Sequence, residues 1–474
     1  MSDVLTPDLC IIGAGSGGLS VAAGAVQMGA SVVLVEGGKM GGDCLNYGCV
    51  PSKALIAAAK KAHAHRHSDA FGIAGHEPQV DYARVMAHVH DAIAGIAPHD
   101  SVERFEGLGV TVLQDYGRFT GPREVEAGAT RIRPRRFILA TGSSPAVPPI
   151  PGLDTVPYLT NETLWAETEL PETLIIIGGG PIGLEMAQAH CRLGARVIVL
   201  EAARALARDD TETAAIALDA LRAEGVDLRE ETAAERVEGQ AGQITVHLAG
   251  GGAVTGSHLL VAVGRKPNLD RLELAAAEVE TDRAGIKVDK AMRSTSNRHV
   301  YAIGDVAGGL QFTHVANYHA GLVVRNALFR LPVANQTNHI PWVTYTDPEI
   351  AQIGLTEAEA RDAVGDKLEV HRIRFDQNDR AHAERRTEGL IKGIFCTKGR
   401  IHGVSIVGAS AGELIGPWAL AMSKGLKVKD MAGMVAAYPT LGEVNKRVAG
   451  AYFGKRLFES AMVKRIVGLL ARLG

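Results

Sequence analysis

The sequence predicts an α/β protein, because a unit of strand, glycine-rich turn, helix and strand occurs twice along the chain. In each unit a short apolar strand leads into a turn with the spacing G-x-G-x-x-G, and the second strand ends at a glutamate. The strand, turn and second strand cover residues 9–12, 13–18 and 31–35 in the first unit and 174–177, 178–183 and 196–200 in the second. Units of this kind form Rossmann-like parallel sheets that bind dinucleotides.

The first unit has the residues that a bound dinucleotide needs. Gly13 makes the turn, Gly15 lets the backbone approach a pyrophosphate, and Gly18 allows close packing of the helix. Glu36 ends the second strand, where a carboxylate bonds a ribose hydroxyl. A glycine pattern alone also occurs in unrelated turns, but here the strand, helix and acid stand at the expected distances. We therefore expect a dinucleotide in this unit.

The second unit repeats the pattern and predicts a second dinucleotide. Gly178, Gly180 and Gly183 take the same three places, and Glu201 ends the second strand. A carboxylate there accepts from a free 2′-hydroxyl and repels a 2′-phosphate, which predicts NADH in preference to NADPH. Two arginines that follow closely weaken this preference.

Cys44 and Cys49 form a second signature, between glycines and a proline within residues 41–53. A bridge between them closes too short a loop to stabilise the fold much, so the pair is typical of a redox-active dithiol. Half of a zinc site is the alternative, but no second pair of Cys or His at ligand spacing follows. We predict no metal site.

The composition fits a globular protein, with 474 residues of which 46% are hydrophobic and 22% charged. The net charge of −3 offers no electrostatic case for nucleic acid binding. Only five cysteines occur, which suits a reducing compartment, so we expect the cytoplasm. Residues 1–7 lack a basic region followed by an apolar stretch, and no run of about 18 apolar residues occurs, so neither export nor membrane spanning is expected.

Two dinucleotide units with a C-x4-C pair after the first resemble the FAD-dependent pyridine nucleotide-disulfide oxidoreductases, which include dihydrolipoamide dehydrogenase, glutathione reductase and mercuric reductase. The resemblance covers nearly the whole chain. Three further motifs that match are Ile138-Leu139-Ala140-Thr141-Gly142, Val263-Gly264-Arg265-Lys266-Pro267-Asn268 and Val300-Tyr301-Ala302-Ile303-Gly304-Asp305. The resemblance implies an enzyme with FAD in the first unit and NAD in the second, assembled as a homodimer.

The resemblance also implies roles for single residues. Cys49 contacts the flavin and Cys44 exchanges with substrate. Lys53 and Glu185 pair beside the reactive end of the flavin, where a cation steadies developing negative charge. Asp305 bonds the ribityl chain. Further cofactor contacts are implied at Gly42, Lys53, Thr141, Gly142, Gly264 and Ala316.

The same resemblance divides the chain into domains. It implies an FAD-binding domain at residues 1–153, an NAD(P)-binding domain at 154–289 and a central return to the FAD-binding region at 290–338. An α+β dimerisation domain follows at 339–474. Residues 145–157 are rich in proline and are predicted as a linker.

Two positions depart from the family pattern. Asp43 stands where close relatives usually have Thr, and a carboxylate beside Cys44 opposes thiolate formation. Whether it tunes the dithiol or only faces solvent stays open. Near the C-terminus, the lipoamide and glutathione enzymes carry a catalytic His-Pro with a Glu beyond it, whereas this chain has Tyr438 and Glu443. We keep both as candidate catalytic residues, although a phenol is a poor base at neutral pH.

The sequence is compatible with three functions. The first is reduction of a small disulfide by NADH through Cys44 and Cys49, or the reverse oxidation of a dithiol. The second is reduction of Hg(II) or another metal ion, because mercuric reductase also has Tyr-Pro-Thr at the Tyr438 position. That enzyme ends in a cysteine pair, however, and the last cysteine here is Cys396. The third, of another class, is an NADH-sensing flavoprotein that signals through its C-terminal tail.

That tail, residues 455–473, interleaves basic and apolar side chains, which predicts a basic amphipathic helix. Contact with an anionic membrane surface is one interpretation. Packing on the protein's own dimer is the more common arrangement and is favoured.

Overall fold

The computed structural model describes residues 4–473, apart from the side chain of Lys455. The described chain divides into two compact units, each made of segments that are separated in the sequence. Unit 1 contains residues 4–178, 189–200 and 233–335. Unit 2 contains residues 179–188, 201–232 and 336–473. The α/β class is confirmed, while the bounds of the four domains stay predictions.

The first part of unit 1 supplies ten strands and five helices. The strands are β1 (Val4–Leu5), β2 (Leu9–Ile12), β3 (Val32–Val35), β4 (Thr111–Leu113), β5 (Gly117–Gly121), β6 (Glu124–Ala127), β7 (Thr130–Ile132), β8 (Arg136–Leu139), β9 (Ser143–Pro145) and β10 (Thr173–Ile177). The helices are α1 (Ser16–Gln27), α2 (Gly42–Asn46), α3 (Cys49–Arg66), α4 (Tyr82–Ile96) and α5 (Val102–Gly107).

The middle of the chain, residues 179–335, is mainly strands with three helices. The strands are β11 (Arg196–Leu200), β12 (Asp227–Arg229), β13 (Ala234–Gln240), β14 (Gln243–Leu248), β15 (Ala253–Gly256), β16 (His258–Val261), β17 (Arg265–Pro267), β18 (Thr281–Asp282), β19 (Gly285–Ile286) and β20 (Val300–Ala302). The helices are α6 (Pro181–Leu193), α7 (Thr211–Ala223) and α8 (Thr313–Phe329).

The last segment, residues 336–473, belongs to unit 2. Its strands are β21 (Pro341–Thr344), β22 (Glu349–Gly354), β23 (Leu368–Arg374), β24 (Leu390–Cys396) and β25 (Ile401–Gly408). Its helices are α9 (Glu357–Val364), α10 (Asp379–Ala383), α11 (Ala411–Leu414), α12 (Gly416–Ser423), α13 (Val428–Ala432), α14 (Glu443–Phe458) and α15 (Ala461–Leu470).

A parallel five-stranded sheet in unit 1 has the strand order β20-β8-β2-β3-β4. All residues of β2 and β3 are buried, as expected for strands covered on both faces. The register aligns Ile12 with Val35 and Leu139, and Leu139 with Ala302. Because these are the last residues of their strands, the segments that follow them meet at one edge of the sheet. That edge is where α/β sheets bind ligands.

A second parallel arrangement in unit 1 joins β11, β10 and β16. Its strands are apolar and buried, apart from the first residue of each. The predicted strand, turn and strand order of both nucleotide units is confirmed, with strand bounds that differ from the prediction by one residue at most. Strand ends fray, so differences of this size carry no meaning.

Unit 2 contains an antiparallel sheet in the order β21-β22-β25-β24-β23. Its core includes the fully buried Trp418, Phe395 and Val448, the last on α14. The predicted basic helix of the tail is two helices. Ser460 accepts a hydrogen bond from the backbone N–H of Val463 at 3.3 Å, and this cap starts α15 after α14 has ended.

Candidate active site

The segment with both cysteines begins where two glycine-containing turns touch. Gly42 has a φ of +60°, and a Cβ there would lie 2.7 Å from the Cα of Gly15. Only glycine fits this close approach. The contact holds the cysteine segment against the first nucleotide turn.

Cys44 lies in α2, and Cys49 is the first residue of α3. The sequence predicted that this helix starts near Pro51. It starts two residues earlier because a proline in the first helical turn leaves no hydrogen bond unmade. The N-terminal end of α3, with its positive dipole, therefore falls on the Cys49 residue itself.

The two sulfurs have opposite acidities. The Cys44 thiol donates a hydrogen bond to the Cys49 sulfur, which is the largest contribution lowering the pKa of Cys49 to about 6. The Thr313 hydroxyl, 3.4 Å from the Cys49 sulfur, and the positive charge of Lys53 act in the same direction. The pKa of Cys44 is raised, because its proton is held by Cys49 and because the thiol is partly buried. The thiolate of the reduced pair is therefore Cys49.

The Asp43 carboxylate makes an ion pair and accepts a hydrogen bond within unit 1. Its Oδ1 lies 3.1 Å from Nη2 of Arg265 and accepts a hydrogen bond from Nδ2 of Asn161 at 3.1 Å. Arg265 also donates to the Ser143 hydroxyl at 2.7 Å, and its Nε lies 3.7 Å from Asp305. One guanidinium thus links the dithiol segment to the acid at the end of β20.

A hydrogen bond from Trp165 also holds the turn between the cysteines. The indole N–H of Trp165 donates to the carbonyl oxygen of Tyr47 at 3.0 Å, and Trp165 is buried. Tyr47 is the C-cap of α2, between the two cysteine helices. Contacts on both sides of Cys44 therefore limit how far the cysteine can move.

The residues of the first nucleotide turn fit an FAD. A Cβ on Gly18 would lie 1.9 Å from the carbonyl oxygen of Gly13, so only glycine allows the helix to start here. No side chain caps the first turn of α1, which leaves its N–H groups for a pyrophosphate. Glu36 accepts from the backbone N–H of Ala14 and of Gly38, both at 2.6 Å, which holds its carboxylate beside the turn.

Among the other predicted FAD residues, Thr141 and Gly142 follow β8 at the same edge of the five-stranded sheet, whereas Gly264 follows β16. Thr141 donates to the carbonyl oxygen of Asn268 at 2.8 Å, and Gly142 accepts from the backbone of Asn268 at 3.0 Å. Gly264 accepts from the backbone N–H of Ala146 at 2.9 Å. The bonds of Thr141 and Gly142 to Asn268 join the first two of the three further family motifs.

Asp305 follows β20 and accepts a hydrogen bond from the Ser143 hydroxyl, while burial raises the pKa of its carboxyl group. Ala316 is buried in the first turn of α8, and a Cβ on Gly304 would lie 3.0 Å from its methyl group. The start of α8 thus packs directly on the Asp305 motif. Its first residue, Thr313, lies beside the Cys49 sulfur.

The second nucleotide turn keeps its glutamate in a defined position. In unit 2, Glu201 accepts from the backbone N–H of Gly179 at 2.7 Å and of Ala203 at 2.8 Å. Gly180 and Gly183 lie in the same unit, and Gly178 ends the first segment of unit 1. Arg204 donates a hydrogen bond to the Thr211 hydroxyl at 3.1 Å, so its guanidinium group is bound to a residue of the same segment, 201–232. These residues fit a dinucleotide.

Glu185, Tyr438 and Glu443 all lie in unit 2. Glu185 is buried and accepts from the backbone N–H of Tyr345 at 2.9 Å. Tyr438 is 69% exposed and donates its hydroxyl hydrogen to Asp379 at 2.9 Å, which raises the pKa of the phenol. Glu443 is the first residue of α14, and its Oε1 lies 3.9 Å from Arg447.

Sequence reasoning missed three residues of this site. Arg265 stands inside a family motif, and Thr313 lies three residues before Ala316, an implied cofactor contact, so the sequence marked both regions without giving either residue a role. Asn161 carried none, because it is 118 residues from Asp43. No group of three His, Cys, Asp or Glu side chains able to hold a metal occurs among residues 4–473.

Comparison with known proteins gives consistent matches. The profile of the pyridine nucleotide-disulphide oxidoreductases matches residues 7–320, and that of their dimerisation domain matches residues 340–449. A mercuric reductase from Lysinibacillus sphaericus is 33% identical over 458 residues, which are 95% of this chain and 83% of that protein. A dihydrolipoyl dehydrogenase from Thermus scotoductus is 37% identical over 453 residues, which are 92% of this chain and 95% of that protein.

A solved structure also matches over nearly its full length. It is a Cu(II) complex of the HOCl-induced flavoprotein disulfide reductase RclA from Escherichia coli, with a TM-score of 0.84 at 27% identity, covering 93% of this chain and 99% of that chain. The chain therefore belongs to the pyridine nucleotide-disulphide oxidoreductases, and it is an FAD-dependent enzyme whose electron donor is NAD(P)H.

Proposed function

We propose that this enzyme uses NADH to reduce a small-molecule disulfide through Cys44 and Cys49. The observation that carries the proposal is the thiolate at Cys49, whose pKa is lowered to about 6 by hydrogen bonds from Cys44 and Thr313 and by the charge of Lys53. A thiolate at neutral pH is the reactive form in thiol–disulfide chemistry. Bound FAD supplies the two-electron link between nicotinamide and this pair.

The reduced pair then acts on the substrate in two displacements. The Cys44 proton passes along the hydrogen bond to Cys49, and the resulting Cys44 thiolate attacks one sulfur of the substrate disulfide, whose S–S bond breaks. The departing thiolate takes the proton from Cys49, which becomes a thiolate again. The Cys49 thiolate next attacks the Cys44 sulfur and releases the second thiol as a thiolate. The products are two reduced sulfurs and one Cys44–Cys49 disulfide, so the two electrons of the pair have passed to the substrate.

The state of Tyr438 favours this direction of reaction. Oxidation of a dithiol substrate requires a group that accepts its protons. Tyr438 stays neutral at neutral pH, because donation to Asp379 raises the pKa of its hydroxyl. Reduction of a disulfide does not need that proton acceptor.

The same tyrosine supports a second candidate, reduction of Hg(II) or another metal ion that prefers sulfur ligands. A metal ion coordinates thiolates, and its charge displaces the remaining Cys44 proton on binding, so this reaction depends less on a general base. The mercuric reductase relatives and the Cu(II) complex of RclA make such an ion a reasonable acceptor to test. The pair Cys44 and Cys49 is the site we assign to it.

Several finer assignments belong to this proposal. NADH is the preferred donor because Glu201 is held at the end of the second nucleotide turn. The active form is a homodimer, in view of the match to a dimerisation domain. We retain Lys53 paired with Glu185, the predicted FAD contacts and the predicted domain boundaries, with Tyr438 and Glu443 facing the substrate. The few cysteines favour a reducing compartment such as the cytoplasm.

An acceptor panel tests the function. FAD-loaded enzyme is supplied with NADH and, in turn, lipoamide, glutathione disulfide, other small disulfides, Hg(II) and a quinone, while NADH loss is recorded. The proposal expects turnover with one disulfide that is lost in Cys44→Ser and in Cys49→Ser. Cys396→Ser is the matched control, since Cys396 lies on β24 of unit 2, and it retains activity.

The outcomes separate the candidates. Activity with Hg(II) but with no disulfide supports the second candidate and rejects the first. Activity only with the quinone, unchanged in both serine variants, rejects the dithiol as the exit for electrons. Anaerobic titration with NADH gives an independent check, because a long-wavelength absorbance from the Cys49 thiolate beside the flavin is expected after two electrons and is absent in Cys49→Ser.

A further inference from the structure

The last helix of the chain exposes nearly all of its apolar side chains. No residue of α15 is buried. The exposed fractions are 70% for Met462, 45% for Ile466, 60% for Val467, 60% for Leu469, 58% for Leu470 and 77% for Leu473 just beyond the helix. Large contiguous apolar surfaces of this kind mark sites that another surface covers.

These side chains are segregated around the helix axis. At 100° per residue, the apolar residues occupy an arc of about 160°, and Lys464, Arg465 and Arg472 lie on the opposite side. A helix with one apolar face and one basic face is the form that lies in the interface of a lipid bilayer. Residues 460–473 contain no carboxylate, so the whole polar face is positive.

The length of the helix determines how it would meet a bilayer. α15 has 10 residues, which span about 15 Å, half of the hydrocarbon thickness. Within residues 4–473, no helix is long and apolar enough to cross a membrane. α15 therefore fits a position parallel to the surface, with its apolar face among the acyl chains and its cations at the headgroups.

The alternative surface to cover α15 is a second copy of this chain. The match to the family's dimerisation domain ends at residue 449, before α15 begins. Two α15 helices packed on each other would also bring together two faces flanked by three cations each. Charge complementarity instead favours an anionic partner surface.

We propose that α15 binds the surface of an anionic lipid bilayer and so holds the enzyme at a membrane. This contact is separate from the reaction at Cys44 and Cys49, and it does not depend on which electron acceptor the enzyme uses. On this proposal the tail contacts a membrane, whereas the sequence alone favours packing on the protein's own dimer.

Sedimentation of the full-length, FAD-loaded protein with vesicles tests the proposal. Binding is expected with vesicles of phosphatidylcholine and phosphatidylglycerol, much weaker with phosphatidylcholine alone, and reduced by salt. The double variant Lys464→Gln and Arg465→Gln should bind about 30-fold more weakly, since each cation near an anionic surface contributes about fivefold. The double variant Ile466→Glu and Leu470→Glu should not bind at all.

A matched control changes two exposed lysines of the same unit, Lys398→Gln and Lys424→Gln, and should keep the wild-type affinity apart from a small general charge effect. Absence of wild-type binding overturns the proposal, and so does equal binding to the two kinds of vesicle. Sedimentation velocity identifies the competing occupant. If Ile466→Glu with Leu470→Glu reduces the size of the assembly while the wild type ignores vesicles, a second copy covers α15 and the membrane contact is rejected.

Discussion

Cys49 differs from Cys44 in chemistry because of the groups around its sulfur rather than because of its position in the pair. The hydrogen bond from Cys44 favours charge on Cys49, and Thr313 and Lys53 add to it. Desolvation opposes it and is second in size only to the Cys44 hydrogen bond, and the negative charge of Asp43 opposes it more weakly, but the lowering effects together are larger. The balance leaves Cys49 ionised and Cys44 protonated near neutral pH.

The first prediction concerns the pH at which Cys49 ionises. In dithiothreitol-reduced protein, alkylation of Cys49 by iodoacetamide should rise with pH around a midpoint of about 6, because the thiolate forms above that pH and is protonated below it. Peptide mass spectrometry locates the label. Thr313→Val should move the midpoint upward, since a hydrogen bond to the charged form is lost. A midpoint above 8 in the wild type would contradict the assignment.

A second prediction resolves the role of Asp43. Its carboxylate raises the pKa of Cys49, and it also holds Arg265 and Asn161. In Asp43→Asn the alkylation midpoint of Cys49 should therefore fall. The protein should also show lower thermal stability, because Arg265 loses a partner. Asp91→Asn, which removes an exposed carboxylate on α4, is the control and should change neither. If the midpoint stays the same in Asp43→Asn, the acid does not tune the dithiol.

At the scale of elements, strand ends decide which side chains reach each cofactor. The turn after β2 and the acid after β3 lie at one edge of a parallel sheet, where β8 and β20 also end. β10 and β11 repeat the arrangement for the second dinucleotide. The acid at the end of β11 is Glu201, whose carboxylate is fixed by two backbone N–H groups.

The third prediction follows from that acid. Glu201→Gln should raise the ratio of kcat/KM for NADPH to that for NADH by about tenfold or more, because a like-charge repulsion of at least about 1.4 kcal/mol is removed. Steady-state kinetics with both donors measure it. Glu235→Gln, at an exposed position on β13, is the control and should leave the ratio unchanged. An unchanged ratio in Glu201→Gln would mean that other groups set the preference.

At the scale of the whole molecule, an ion cluster joins segments of unit 2 that are separate in the sequence. Unit 2 contains a buried ion cluster in which Lys392 on β24 is 2% exposed. Its Nζ lies 2.6 Å from Asp210, 2.7 Å from Glu212 and 3.0 Å from Glu357. One lysine thus binds acids from two segments of this unit that are far apart in the sequence.

The fourth prediction concerns this cluster. Lys392→Met should lower the free energy of unfolding of unit 2 by about 3 kcal/mol or more, because the buried carboxylate of Asp210 loses its cation. Thermal denaturation of the FAD-loaded protein measures the change. Lys398→Met, on the exposed turn after the same strand, should have little effect. A melting temperature equal to that of the wild type would show that the cluster contributes no net stability.

The sequence by itself determined the two nucleotide units, the dithiol and the family, since each depends on residues that are close together in the chain. Glycines, strand and acid must stand at set spacings to bind a dinucleotide, so Gly13, Gly18 and Glu36 were recognisable without coordinates. The same is true of the apolar and basic pattern of the tail, although its division at Ser460 depends on a local cap.

The resemblance already implied that Cys49 is the sulfur beside the flavin, but only the tertiary structure showed which groups lower its pKa and what Asp43 contacts. Thr313 reaches Cys49 across 264 residues of sequence, and Asn161 reaches Asp43 across 118. Such contacts arise from strand order and register, which bring distant segments to one sheet edge. They leave no spacing pattern in the chain, because parallel strands joined by crossovers can be ordered in several ways. The acidity of the dithiol is therefore a property of the folded arrangement.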